Sequence, residues 1–224
     1  MIKSRYKAVL FDVDGTLVNS NDAHAQAWVE AFAAFGITVD LTRVRRSIGM
    51  GGDKLMPEVA GIEEDSPVGA RISKRRGEIF KANYLPYLRP FPGAAELVAA
   101  IKARGLTAVA ASSAKEDELR ALLAIAGAES LLDAATSSDD AEESKPDPDI
   151  IHAALQKAHA EPSRAVLIGD TPYDVQAASR AGVDGVGFRC GGWHDVDLRG
   201  AIAIYDGPWD LLARLDTSPL ASQT

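Results

Sequence analysis

The sequence predicts an α/β fold, a doubly wound parallel sheet with helices on both faces and an α-helical domain inserted after the first strand. Three observations predict it. Short apolar segments with few charges recur along the chain, helical patterns alternate with them, and the alternation breaks off between residues 19 and 88. The expected division is therefore a core of residues 1–18 and 89–224, with a helical insertion of 19–88.

The strand candidates are "KAVLF" at 7–11, "LTAVAAS" at 106–112, "DAATS" at 133–137, "AVLIG" at 165–169 and "DGVGF" at 184–188. Each is too short for a helix, and nearly continuous apolar residues suit strands buried on both faces. Between them, "PGAAELVAAIKARG" opens with Pro92, puts Leu97, Val98 and Ile101 on one face, and closes at Gly105. "KEDELRALLAIAG" carries acidic residues in its first turn and ends at Gly127. "DPDIIHAALQKAHA" and "YDVQAASRAG" complete the rhythm, and right-handed crossovers follow from it. The insertion reads as helices throughout: 21–36, where His24, Trp28, Phe32 and Phe35 form one stripe, then about 41–48, 52–60 and 66–84. The tail after Asp216, "TSPLASQT", reads as loose.

Composition narrows the function. The chain has 224 residues, 46% of them hydrophobic and 25% charged, which suits a soluble globular protein. A net charge of −8 leaves no broad basic surface for nucleic acid. No apolar run is long enough to span a bilayer, the N-terminus lacks the pattern of a secretory signal, and a cytoplasmic location is expected. A single cysteine, Cys190, forms no intramolecular disulfide and no Cys-rich zinc cluster. Monomer and homodimer both remain open.

In an open parallel sheet, ligands bind beyond the carboxyl ends of the strands. Reading those ends gives Asp12 and Asp14, then Ser112 and Ser113, then Lys145 in "SKPDPD", then Asp170 and Asp174 in "GDTPYD". Four converging carboxylates with one lysine call for a divalent cation, and all-oxygen ligation suits Mg²⁺. The cation and the lysine would remove the repulsion that otherwise stops a carboxylate from attacking a phosphoryl group. Asp12 can then be the nucleophile, and Asp14 the acid that protonates the departing oxygen and the base that later activates water. Gly15 and Thr16 permit a tight loop with backbone amides facing a phosphate.

In this order, "DVDGTL", a serine ending the second strand, "SKP" and "GDTPYD" resemble the four motifs of the haloacid dehalogenase-like (HAD) hydrolases, and the insertion resembles the helical cap of their phosphoglycolate phosphatase and β-phosphoglucomutase branch. The resemblance runs from about Lys7 to Leu212. It implies a Rossmann-like core, an aspartyl phosphate on Asp12, and Asp14 as acid/base with its carbonyl on Mg²⁺. It further implies that Ser112 contacts the phosphoryl oxygens, that Lys145 stabilises the nucleophile and the transferring group, and that Asp170 ligates the metal, with Asp174 a ligand through water or an orienting group. The expected substrate is a small phosphorylated metabolite.

Departures within the family favour hydrolysis. Asp14 speaks against halide chemistry, which does without that carboxylate in the dehalogenases. The sugar phosphomutases carry Glu-Asp where Gly169-Asp170 stands, and a cap arginine in place of Gly52. The phosphonatases carry a Schiff-base lysine in the first cap helix, and residues 21–35 contain none. A phosphomutase remains the alternative enzyme. In another class stands a phospho-aspartate signalling module, although its motif order differs and it needs no cap.

Within the insertion, His24 fits both a packed core histidine and a substrate contact or proton relay. Arg45, Arg46 and Lys54 are candidate contacts for the leaving group, and "GMGGDK" at 49–54 fits a hinge as well as an anion cradle. "RCGGWHD" at 189–195 reads as a loop beside the pocket.

Overall fold

The structure, a computed structural model, describes residues 5–221. Six parallel strands form one sheet: β1 (Ala8–Phe11), β2 (Thr107–Ala111), β3 (Ala134–Thr136), β4 (Ala165–Gly169), β5 (Asp184–Phe188) and β6 (Ala203–Tyr205). Their order is β3-β2-β1-β4-β5-β6, with Ala8 in register with Thr107 on one side and with Ala165 on the other. This is the doubly wound class read from the sequence. Chain direction across the sheet reverses between β1 and β4, which is where such sheets open a crevice.

Burial on both faces explains the composition of the central strands, in which every residue of β1 and β4 is buried. Ala8, Leu10, Val109, Ala111, Ala165 and Leu167 pack against two helices, α7 (Asp149–Ala158) and α8 (Pro172–Arg180), through Ile150, Ile151, Ala154, Ala177 and Ala178. Alternation sends Val9, Phe11, Ala108, Ala110, Val166 and Ile168 to the opposite face. There α5 (Ala94–Ala103) packs on β2 and on α9 (Pro208–Ala213). The remaining crossover helix of this unit, α6 (Glu116–Ala126), begins with Glu116, Asp117 and Glu118 and ends at left-handed Gly127, as dipole and capping rules require.

Residues Ser20–Leu88 form a separate compact unit made only of helices. These are α1 (Asn21–Ala33), α2 (Leu41–Ser47), α3 (Gly52–Ala60) and α4 (Pro67–Ile79). Asp40 caps α2 by accepting from Arg43 N, and Ser66 caps α4 by accepting from Gly69 N, with Pro67 in the first turn. Beyond α4 the chain passes through a π turn over 80–84 and a 3₁₀ turn over 85–87, so the single helix expected at 66–84 is divided.

Two other expectations need correction. A sixth strand and α9 exist where no element was expected, because β6 follows β5 through a connection with no α-helix, and the strand–helix alternation does not announce it. The segment after Asp216 is not loose as far as it is described: Leu220 is fully buried and Ser218 Oγ donates to Leu215 O at 2.8 Å. The rest of that expectation, residues 222–224, lies outside the described residues. Within the 49–54 stretch, Gly52, Asp53 and Lys54 form the first turn of α3, where a helix was expected at 52–60. Among the described residues no helix is long and apolar enough to cross a membrane.

Candidate active site

Asp12 is the first residue beyond β1 and Asp170 the first beyond β4, so adjacent strands deliver them to the same end of the sheet, where chain direction reverses. Both are buried, Asp170 completely. One carboxylate oxygen each from Asp12, Asp170 and Asp174 lies within 4.8 Å of the others, a spacing able to hold a metal ion. Thr16 ties the first two together, its Oγ1 lying 3.0 Å from Asp12 Oδ2 and 3.0 Å from Asp170 Oδ1. Its one proton serves one carboxylate at a time. Thr16 thus has a bridging hydroxyl, which the loop reading of "DGT" had not anticipated.

Lys145 lies just before α7 and is wholly buried, an unusual position for a lysine. Its Nζ donates to Asp12 Oδ1 at 2.7 Å and to Ala111 O at 2.8 Å, and lies 2.8 Å from Asp174 Oδ1. The ammonium therefore sits between two carboxylates and the carbonyl that precedes Ser112. Burial alone would lower its pKa, but the charges of Asp12 and Asp174 outweigh burial and raise it above the ordinary lysine range. Burial raises the Asp12 carboxyl to about 7, Lys145 opposing and the Asp174 and Asp14 charges adding to the rise. Three acidic groups against one lysine leave the centre negative, which a cation would correct.

Asp174 is held by a capping box at the start of α8. Its Oδ2 accepts from Thr171 N at 3.0 Å and from Thr171 Oγ1 at 2.6 Å, while Asp174 N donates back to Thr171 Oγ1. The T-x-x-D spacing in "GDTPYD" carries that signature and was legible as such. Its other oxygen is left to Lys145. Asp174 therefore orients the lysine as well as standing within reach of a cation.

Asp14 is half-buried in the loop after β1, and its carboxylate is not one of the three clustered groups. The left-handed Gly15, with φ of +77°, lets that loop turn back so that Gly15 N donates to Val18 O. Ser112 is buried at the end of β2, its Oγ accepting from Ala114 N at 3.0 Å. Ser113 Oγ is buried without a hydrogen-bond partner, a polar atom left for a ligand or water. Cys190 donates to Gly15 O at 3.3 Å, and burial, followed by the Asp170 charge, pushes its thiol well up, which leaves it a poor nucleophile. Trp193 packs with Val175 and Leu198 and meets Tyr173 edge-on, whereas His194 is exposed.

The remaining candidates belong to the helical unit. His24 is buried, stacked on Phe80 with ring centroids 4.0 Å apart, and its Nδ1 lies 2.5 Å from Arg76 Nη2. A guanidinium only donates, so Nδ1 is the acceptor and a neutral His24 carries its proton on Nε2. Arg76 also lies over the rings of Trp28 and Phe80. Arg45 Nε donates to Asp22 at 2.6 Å, and Arg46 is exposed. Lys54 is half-buried in the first turn of α3.

Fold and site together define a doubly wound α/β hydrolase whose acidic centre lies at the crevice of the sheet. Residues 9–188 match the haloacid dehalogenase-like hydrolase family, and the chain belongs to that family. A phosphoglycolate phosphatase of Rhodospirillum rubrum is 32% identical over 215 residues, covering 89% of this chain and 87% of its own. The chloroplastic protein SUPPRESSOR OF QUENCHING 1 of Arabidopsis thaliana is 36% identical over 183 residues, 79% of this chain, but the match spans only 17% of that longer protein. A hydrolase from Pseudomonas syringae has the same fold, with a TM-score of 0.89 and 30% identity over 96% of this chain and all of its own.

Proposed function

We propose that the chain is a Mg²⁺-dependent phosphatase that hydrolyses a small phosphate monoester through an aspartyl phosphate on Asp12. The observation that carries this reading is the buried Asp12 carboxylate, held at 2.7 Å by Lys145 and within one ligand sphere of Asp170 and Asp174. The donor set fits the cation, since it is all oxygen, anionic and buried. Asp12, Asp170 and the carbonyl of Asp14 would hold it, with Asp174 outside them or joining through water. When bound, the cation supplies positive charge against the phosphoryl oxygens.

The chain's own groups then divide the work. An oxygen of Asp12 forms the bond to phosphorus as the ester P–O bond breaks, and Asp14 gives its proton to the departing alkoxide. Asp14, now a carboxylate, takes a proton from water as that water attacks phosphorus. The acyl phosphate bond breaks, inorganic phosphate leaves and Asp12 is restored. Lys145 and the Ser112 hydroxyl offset charge on the phosphoryl oxygens throughout.

Hydrolysis is favoured over phosphoryl shuttling by Gly169. A Cβ at Gly169 would fall 2.4 Å from Asp174 Cγ and 2.5 Å from its Cβ, so that position has no room for the larger residue a mutase carries, while one at Gly52 would meet only the flexible end of Glu64. The phosphoglycolate phosphatase relative supports a small organic-acid phosphate as substrate, with sugar phosphates as the neighbouring class. His24, Arg45 and Lys54 are proposed to choose among them. The test is phosphate release from a panel of organic-acid and sugar phosphates with Mg²⁺. Release that is undiminished in Asp12→Asn would overturn the mechanism.

A further inference from the structure

We infer that Gly191 is a positioning residue for the acidic centre: its bare backbone forms the wall against which the Asp170 carboxylate is set. A Cβ built on Gly191 falls 1.6 Å from Asp170 Oδ2, 2.3 Å from its Cγ and 2.5 Å from its Cβ, all below the 3.0 Å that real Cβ contacts keep. Turning the Asp170 side chain about its Cα–Cβ bond would move the first two atoms. It would not clear the third, because the Asp170 Cβ is fixed to the backbone at the end of β4. Any side chain at 191 therefore has to push the turn after β5 away from β4.

Conformational freedom is not why glycine stands here. Gly191 is absent from the positive-φ residues, unlike its neighbour Gly192 at +93°. The requirement is space alone.

The turn that carries Gly191 makes contacts on both sides, exposed ion pairs on one and a part-buried bond to the loop after β1 on the other. Arg189 Nε and Nη2 donate to the two oxygens of Asp195 at 2.5 and 2.9 Å, and Nη1 donates to Asp206 at 2.7 Å. A two-pronged guanidinium contact of this kind fixes orientation as well as distance. On the other side Cys190 Sγ donates to Gly15 O in the loop after β1. Asp170 is thus confined between Thr16 Oγ1, at 3.0 Å from Oδ1, and the Gly191 backbone beside Oδ2. A carboxylate confined in this way presents one orientation to a cation before any cation arrives.

Two readouts test this, and only the second rests on the cation reading given under Proposed function. The first is a thermal-unfolding cycle in chelator with Gly191→Ala, Asp170→Gly and the double variant. Gly191→Ala should lower the melting temperature clearly in the Asp170 background and much less in the Asp170→Gly background, where the obstructing atoms are gone. Equal losses in both backgrounds would overturn the inference. If Gly191→Ala does not fold, folding of the double variant supports the inference and its failure to fold overturns it. The second readout is Mg²⁺ affinity by calorimetry, expected at least tenfold weaker in folded Gly191→Ala and unchanged in Gly185→Ala, whose added Cβ would meet only ordinary contacts at 3.8 Å. A purely structural role would leave the affinity of the folded variant at the wild-type value, and that result would overturn the role in cation binding. Coupling in the cycle with no Mg²⁺ binding by the wild type would uphold the positioning role and remove the cation reading.

Discussion

Both units carry exposed ion pairs, but the sheet unit also holds a buried cluster of charged side chains. In the sheet unit one lysine and three aspartates are buried together and oriented by hydrogen-bonding partners: Lys145 by Asp12, Ala111 and Asp174, Asp170 by Thr16, and Asp174 by Thr171 at the cap of its own helix. In the helical unit the charges lie mostly toward solvent and pair among themselves, as Arg45 does with Asp22 and Arg43 with Glu58. Such exposed pairs are worth little and rearrange at little cost. The lesson is that the buried set is suited to one fixed chemistry, whereas the exposed set is suited to change with the substrate.

That contrast can be broken most decisively at Asp12. Asp12→Asn should lower phosphate release by about 10⁴-fold or more while the protein stays folded, as loss of a covalent nucleophile does. Next in size is Lys145→Met, which leaves two buried carboxylates facing each other. Unfolding in chelator should show a loss of about 3 kcal/mol, or roughly 10 °C in melting temperature. An unchanged melting temperature would mean that the buried ion cluster is not the organised feature it is taken to be.

The helical unit should respond in kind rather than in size. Lys54→Ala is expected to raise KM by about tenfold with kcat within about twofold, the sign of binding lost equally in ground and transition states. A large fall in kcat instead would place chemistry in the helical unit and erase the contrast. Smaller still is Thr171→Ala, which removes the cap that holds Asp174 and should cost about 1 kcal/mol in denaturant unfolding. The smallest effect concerns Asp133, whose carboxyl is held below the usual range by Lys102 and by the amide of Ala108. A depressed carboxyl stabilises the fold above its unfolded pKa, about 3.9, and that contribution is lost as pH falls through the lower folded value. Asp133→Asn should therefore lower the neutral side of a melting-temperature profile slightly, leave its most acid end nearly unchanged, and so flatten the slope between them.

How much was legible in the sequence follows from the same physics. The sheet, its helices and the strand-end residues could be read because period, capping and punctuation are local signals, and the parallel sheet gathers its strand ends without further information. Asp12, Lys145, Asp170 and Asp174 meet for that reason. The double contact of Thr16 and the wall at Gly191 could not be read, because each depends on how closely separate loops approach. Even β6 escaped, since no α-helix separates it from β5 and the alternation that marked the equally short β3 is missing there. In the helical unit the stripe of Trp28, Phe32 and Phe35 announced packing and left the role of His24 open, and the place of Arg76 against His24 came only with the fold.

The position of β1 between β2 and β4 also bears on synthesis. The first carboxylate leaves the ribosome more than a hundred residues ahead of its lysine and of the acidic pair that follows β4. A nascent chain can therefore form its first strand early and still possess no reactive centre. Under the proposed mechanism, turnover would begin only once the fourth strand has docked, and its onset would time that step of folding.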